Sequence, residues 1–267
     1  MVIEFSKYQG AGNDFVICDD RERLLLPRLT QADIARICDR RFGVGADGLM
    51  LLAPGDGEFD FRMIYYNSDG RESTMCGNGG RCIVRFARER GIERTTYRFL
   101  AIDGPHDATI LENGTVALGM QDVNTIERIG EDLILDTGSP HYLRFVPNLD
   151  EIDVPTSGRS IRRSPPFATN GINVNFVEAD AEGLRIGTYE RGVEDETLAC
   201  GTGVTAAAIG ELYRREPRGS GKFHLGVRAR GGELAVTGER VGSTFQHIRL
   251  IGPATFVFSG TLPLADA

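Results

Sequence analysis

A chain of 267 residues that is 41% hydrophobic and 25% charged has the balance of a globular protein with one large domain or two of ordinary size. Its formal net charge of −8 and pI near 5.2 argue against a nucleic-acid surface, which needs clustered Lys and Arg to hold phosphates against salt, and point to a small-molecule partner. No run approaches the roughly 18 apolar residues needed to span a bilayer, and the start Met1-Val2-Ile3-Glu4 lacks a charged segment followed by an apolar one, so a cytoplasmic location is expected.

Taken in order, Val2 to Tyr8 alternates like a strand, Gln9 to Asp14 turns, and Phe15 to Cys18 forms a second strand. Thr30 is placed to cap a helix through Cys38, with apolar spacing at Ile34 and Ile37. Strands follow at Leu49–Leu52 and Phe59–Tyr65, then a polar glycine-rich turn from Tyr66 to Arg81, and a helix over about residues 78 to 90. Tyr97–Phe99, Ala108–Leu111 and Thr115–Leu118 read as a meander with Asn113-Gly114 at a hairpin. Leu133–Leu135 and Tyr142–Val146 open a second half, Asp153 to Pro166 reads as a short helix plus loop, and strands resume at Ile172–Val177 and Leu184–Tyr189. A second glycine-rich turn then leads into the helix Ala206–Leu212, followed by strands at 222–227, 233–237, 245–250 and 255–258.

Both glycine-rich turns carry Cys-Gly-x-Gly at a helix start: Cys76-Gly77-Asn78-Gly79 and Cys200-Gly201-Thr202-Gly203. The first-turn N–H groups of a helix have no intrahelical partner and carry about half a positive charge, so they favour a thiolate and can cradle a carboxylate. The repeated order of strands, cysteine turn, helix and strands predicts an α+β fold of two pseudo-symmetric lobes. Each lobe is expected to be a mostly antiparallel sheet curled around a central helix and to present one cysteine toward a shared cleft. The expected division is residues 1–121 with 253–267 and residues 122–252, with the boundary between Asp122 and Ile129.

Cys18, Cys38 and Cys82 read as small buried core residues. Five cysteines in so large a chain do not suggest a secreted disulfide framework, and with no Cys-x-x-Cys pair and only scattered histidines (His106, His141, His224, His247) no metal site is expected. Gly43-Val44-Gly45-Ala46-Asp47-Gly48 spells a dinucleotide pattern but follows a helix and precedes a strand, the reverse of the order that places pyrophosphate on a helix. Gly219-Ser220-Gly221-Lys222 lacks the first glycine of a P-loop and reads as a turn.

Several motifs in order, Gly10-Ala11-Gly12-Asn13-Asp14-Phe15, Asn67-Ser68-Asp69-Gly70, Met75-Cys76-Gly77-Asn78-Gly79, Gly171-Ile172-Asn173-Val174-Asn175, Glu190-Arg191-Gly192 and Ala199-Cys200-Gly201-Thr202-Gly203, resemble the diaminopimelate epimerases over nearly the whole chain. The resemblance implies cofactor-free interconversion of LL- and meso-diaminopimelate on the bacterial route to lysine and cell-wall precursor. Cys76 and Cys200 would alternate as base and acid on the α-carbon, and the N–H groups at Gly77, Asn78, Gly201 and Thr202 would stabilise the charge that develops on the α-carboxylate. By the same resemblance Asn13, Asn67, Asn173, Glu190 and Arg191 hold the distal amino and carboxylate groups, His141 and Glu190 lie beside the reacting centre, and a homodimer is expected. Ser139 stands where many members carry Asn, and Gly48 where some carry Gln. The competing readings are a proline or hydroxyproline racemase of the same fold group, a silent amino-acid-binding protein and a thiol redox sensor.

Overall fold

The computed structural model of the protein describes residues 2–263. β1 (Val2–Gly10) and β2 (Asn13–Asp19) pair antiparallel, with Gly10 opposite Asn13. Between them Ala11 and Gly12 have φ of 54° and 86°, the positive values with which a two-residue hairpin matches the twist of its strands. The expected turn of Gln9 to Asp14 is therefore mostly strand, and Asn13 is the first residue of β2.

α1 (Gln31–Cys38) starts at Thr30, whose hydroxyl accepts the Asp33 N–H while the Asp33 carboxylate accepts the Thr30 N–H. It ends in the dinucleotide-like glycines: the Val44 and Gly45 N–H groups bond the Ile37 carbonyl, so these residues close a helix rather than open one. β3 (Gly48–Pro54), β4 (Phe61–Asn67), α2 (Gly77–Glu89), β5 (Thr96–Ala101), β6 (Gly104–Ile110) and β7 (Val116–Gly119) follow. β4 starts later than expected because the Phe59 N–H closes a turn onto the Asp56 carbonyl.

The chain continues through β8 (Ile126–Ile129), β9 (Asp132–Asp136), β10 (Pro140–Phe145), α3 (Val154–Arg162), β11 (Asn173–Asp180), β12 (Gly183–Glu190) and β13 (Asp195–Thr197). α4 (Gly201–Arg215), β14 (Ser220–Ala229), β15 (Gly232–Val241), β16 (Thr244–Gly252) and β17 (Thr255–Pro263) complete it. The short strands β8 and β13 were not expected from the sequence. Residues 2–118 with 253–263 form one compact unit and residues 119–252 the other. In the first, β17 returns to pair antiparallel with β1.

The pairing senses repeat between the units. β1 runs antiparallel to β2, β2 parallel to β3, β3 antiparallel to β4, β4 parallel to β5 and β5 antiparallel to β6. In the second unit β9, β10, β11, β12, β14 and β15 follow the same succession: antiparallel, parallel, antiparallel, parallel, antiparallel. A cysteine-started helix stands at the same step of each, between β4 and β5 and between β12 and β14. The duplication is thus one of topology and not only of a short motif.

Each sheet is covered on both faces. In the first unit α2 packs on β1, β2, β3 and β6, while Val16, Leu49, Leu51 and Ile64 meet Ile34 and Ile37 of α1 on the other side. Leu49, Met50, Leu51 and Leu52 therefore all lie fully buried, which is why β3 shows no alternation. In the second unit α4 packs on β9 to β12 and β14 to β16, and α3 covers Val174, Phe176 and Tyr189. α4 sits deep because its inner face is small: Ala206, Ala207 and Ala208 are fully buried, and a Cβ on Gly210 would lie 2.3 Å from Leu143 Cδ1.

Gly70 locks the turn that leads to Cys76. Its φ is 80° and a Cβ there would lie 2.2 Å from the Gln31 carbonyl oxygen. Gly70→Ala should cost about 1–3 kcal/mol from strain and overpacking, read as a lower urea midpoint with an unchanged slope; an unchanged midpoint would show that the turn is not held there.

Candidate active site

Cys76 and Cys200 are the N-cap residues of α2 and α4. Both have extended backbones, with φ, ψ of −94°, 129° and −104°, 112°, and neither side chain caps the backbone N–H groups of its own first turn. Ser, Thr, Asp or Asn at an N-cap would place an oxygen on the N2 or N3 amide. Cysteine leaves those positively polarised N–H groups for a ligand and keeps the sulfur at the mouth of the helix.

In the first unit the sulfur of Cys76 is set by amides. Asn13 Nδ2 donates to the Asp47 carboxylate, which can only accept, so Asn13 Oδ1 faces the other way. There it takes the Cys76 thiol at 3.6 Å and Asn78 Nδ2 at 3.3 Å. Asp47 also bonds Arg40, which holds Asp14 with two further hydrogen bonds. Asn78 is 1% exposed, and its Oδ1 accepts from Arg81 Nη2 at 2.8 Å. Asn67 ends β4 opposite Gly48 and is exposed. A side chain at Gly48 would meet Tyr65 Cε2 at 2.5 Å and the Tyr66 carbonyl at 2.4 Å, so the Tyr65 ring occupies the space a glutamine would need.

In the second unit a directed chain of hydrogen bonds ends at Cys200. Thr188 donates its hydroxyl to Asn175 Oδ1, and Asn175 Nδ2 donates to the Tyr142 carbonyl, which fixes the amide's orientation. The second hydrogen of that nitrogen points to His141 Nδ1 at 3.0 Å, so Nδ1 accepts and the ring proton is on Nε2. Nε2 lies 2.9 Å from Thr202 Oγ1, which accepts it, and the Thr202 hydroxyl is left to donate to Cys200 Sγ at 3.4 Å. A Cβ on Gly203 would lie 2.6 Å from Asn175 Oδ1, so only glycine lets this amide reach the helix. His141 is fully buried, and desolvation pushes its pKa down to about 3, with the charge of Arg191 adding to the fall.

Asn173 is fully engaged with the protein. Its Nδ2 donates to Ser139 Oγ and the Pro140 carbonyl, and its Oδ1 accepts the Arg191 N–H. It shapes the site and holds the Arg191 backbone. Ser139 accepts from both Asn173 and, at 3.4 Å, Arg191 Nη2. Arg191 is exposed, and Glu190, half-buried at the end of β12, shares by strand alternation the face that carries Thr188. Asn175, Thr188 and Asp47 were missed as site residues in the sequence. The signal for Asn175 was present, since Asn173-Val174-Asn175 puts two polar side chains on one face of a buried strand. Among the described residues no group of three His, Cys, Asp or Glu side chains is arranged to hold a metal.

The two-unit α+β fold is shared with solved structures that include phenazine biosynthesis proteins and a hydroxyproline epimerase. A phenazine biosynthesis protein of the PhzF family from Bacillus anthracis superposes with a TM-score of 0.77 at 17% identity, covering 99% of this chain and 100% of that one. A hydroxyproline epimerase from Agrobacterium vitis superposes at 0.66 with 14% identity, covering 98% and 91%. Sequence narrows the class. The profile of the diaminopimelate epimerases matches residues 5–126 and 133–257. The diaminopimelate epimerase of Flavobacterium psychrophilum is 46% identical over 96% of this chain and 98% of its own length, and that of Chlorobaculum tepidum 42% identical over 96% and 99%. The chain belongs to the diaminopimelate epimerase family.

Burial of neutral His141 has a measurable consequence. The unfolded chain binds a proton near pH 6.5 that the folded chain refuses until about pH 3, so stability is lost as pH falls through that window. The slope should approach about 1.4 kcal/mol per pH unit near pH 5 and flatten in His141→Gln. Nitrogen shifts should report a neutral ring protonated at Nε2 at pH 5; an imidazolium there would contradict the assigned chain.

Proposed function

We propose that Cys76 and Cys200 are the two acid–base groups with which this chain interconverts LL- and meso-2,6-diaminopimelate, without an electron-sink cofactor. The observation that carries the proposal is the pair of N-cap cysteines, each with a sulfur unused in capping, on two matched helices of a chain 46% identical to a diaminopimelate epimerase. Inverting an α-carbon requires removing its proton from one face and returning one to the other, so a thiolate and a thiol exchange roles with each turnover. The carbanion places charge on the α-carboxylate. The N–H groups of Gly77, Asn78, Gly201 and Thr202, with the dipoles of α2 and α4 behind them, are the donors that stabilise it. Two preorganised helix ends do here what an iminium would do elsewhere.

Selection of a diamino diacid falls to charge. Arg191 supplies an exposed guanidinium beside Ser139, Glu190 a carboxylate for an amino group, and Asn13 and Asn67 amides. A proline racemase activity shares the fold but has no use for this Glu-Arg pair on the substrate's distal end. We place the reaction in lysine and peptidoglycan precursor synthesis in the cytoplasm, and the working form as a homodimer. The exposed Phe256, Val257 and Phe258 of β17 are apolar surface that a second copy would cover.

Reduced protein with chelator and no added cofactor should convert LL-diaminopimelate to the meso isomer, followed by chiral chromatography. Cys76→Ala and Cys200→Ala should each lower the rate at least about 100-fold while leaving the melting temperature near that of the parent. Full two-way epimerisation by either variant would remove that cysteine from the mechanism. Arg191→Ala should raise KM at least about 10-fold with less effect on kcat, since it acts on bound groups that do not react; unchanged kinetics would exclude Arg191 from the site.

A further inference from the structure

The hairpin that carries Glu190 and Arg191 is tied by a residue that the reaction as described leaves unused. Between β12 and β13, Glu190 pairs with Asp195, and the loop Arg191-Gly192-Val193-Glu194 closes with the Glu194 N–H on the Glu190 carbonyl at 2.8 Å. Gly192 has a φ of 94°. Glu194 has a φ of 59°, in the left-handed region that a side chain of this kind enters only at a steric cost. Its carboxylate bonds back onto the hairpin: Oε1 accepts the Gly192 N–H at 3.3 Å, and Oε2 accepts the Tyr189 hydroxyl at 3.3 Å. Arg191, Gly192 and Val193 are exposed, whereas Glu194 is half-buried.

The end of α3 braces this carboxylate. Arg162, the last residue of the helix, forms an ion pair with it, Nε lying 3.3 Å from Glu194 Oε1. Its Nη1 donates to the Phe167 carbonyl at 3.3 Å, and the same carbonyl accepts the Gly171 N–H. A Cβ on Gly171 would lie 2.9 Å from Arg162 Cζ and 2.7 Å from Arg191 Cδ, so glycine leaves room there for both arginines. The support beneath is closely packed. Tyr189 is fully buried, and a Cβ on Gly158 of α3 would lie 2.3 Å from the Tyr189 Cβ.

A glycine at position 194 would meet the backbone geometry without strain, so what the glutamate adds is its side-chain contacts. Its charge has the wrong sign to attract a substrate carboxylate, which leaves geometry as its contribution. Arg191 depends on that geometry. Its N–H goes to Asn173 Oδ1 at 2.8 Å, and its head group reaches neutral oxygens, the Asn170 carbonyl at 3.2 Å and Ser139 Oγ at 3.4 Å. Among the described residues no carboxylate pairs with this guanidinium, so its aim is set by the backbone of the turn that carries it.

We infer that Glu194, braced by Arg162, is the positioning residue of Arg191: it fixes the turn in the conformation that presents the guanidinium to the distal carboxylate of the substrate. The inference rests on the diamino-diacid reading and adds to it the group that sets the aim of the selecting arginine. Glu194 acts through the Gly192 N–H and Tyr189, and Arg162 acts through Glu194.

The test compares Glu194→Asn with Glu194→Gln. Asparagine enters the left-handed region more readily than glutamate but is one methylene too short to hold Tyr189 and Arg162 together; glutamine keeps the reach and loses the charge. Trypsin cuts after Arg191, and its rate at the Arg191–Gly192 bond of the folded protein, read by peptide mass spectrometry, reports opening of the turn independently of activity. That rate should rise at least about 10-fold in Glu194→Asn, rise also in Arg162→Met, and stay within about 3-fold of the parent in Glu194→Gln. Glu194→Asn should raise KM for LL-diaminopimelate about 3- to 10-fold with less effect on kcat, and should add little to Arg191→Ala, because both act on one contact. Parent cleavage rates in Glu194→Asn or Arg162→Met, an unchanged or lowered KM in Glu194→Asn, a Gln variant as impaired as the Asn variant, or an undiminished effect in the Arg191→Ala background each overturns the inference. Absence of epimerase activity in the unaltered protein, or a parent KM in Arg191→Ala, would instead reject the proposed reaction or the place of Arg191 in it, while the cleavage rates still decide whether Glu194 holds the turn.

Discussion

Everything in this molecule is arranged around helices that begin at a cysteine. A helix N-terminus offers polarised N–H groups and a partial positive charge, and ordinary N-cap residues consume part of that resource. Cys76 and Cys200 do not, and the surrounding fold keeps the resource concentrated. Sheets packed on both faces exclude water from α2 and α4, and the small residues of α4 bring the sheet close enough for Asn175 to reach its first turn. The reaction proposed, stabilising a carbanion with backbone dipoles, draws on two helix ends that the packing of α2 and α4 keeps buried.

The duplicated topology has diverged where the chemistry is tuned. On one helix the sulfur meets the Asn13 amide, beside an Asn78 held by buried Arg81; on the other it meets the Thr202 hydroxyl, which is bonded to a buried neutral imidazole. Burial controls both arrangements with opposite outcomes. His141 is held neutral, so it is a directional donor that does not itself titrate in the working range, whereas Arg81 keeps its proton because the ordinary pKa of arginine is so high.

Much of this was legible in the chain because the decisive signals are local. Cys-Gly-x-Gly before an apolar helical pattern, twice, announces two helix starts with a cysteine at each, and the strand–helix–strand order around them gives the architecture. What escaped reading depends on tertiary pairing. The three- and four-residue strands β13 and β8 are too short to show a period, and the strand character of Gln9 and Gly10 comes from the positive φ of Ala11 rather than from composition. Asn173 was read as a substrate ligand, yet both ends of its amide are engaged with Ser139, Pro140 and Arg191. Nothing in Gly79-Gly80-Arg81-Cys82 says that the arginine is buried, because arginine is almost always at the surface and one of its hydrogen-bond partners, the Pro253 carbonyl, is 172 positions away in the chain.

The central claim is that two cysteines, one a base and one an acid, act on a single α-carbon. The most direct test is the distribution of deuterium during the first few per cent of conversion of LL-diaminopimelate in D₂O. A two-base mechanism predicts that the meso product carries solvent deuterium at the inverted α-carbon while the recovered LL isomer stays protiated. Equal early labelling of both isomers would mean that one group removes and returns the proton on both faces, and would contradict the account.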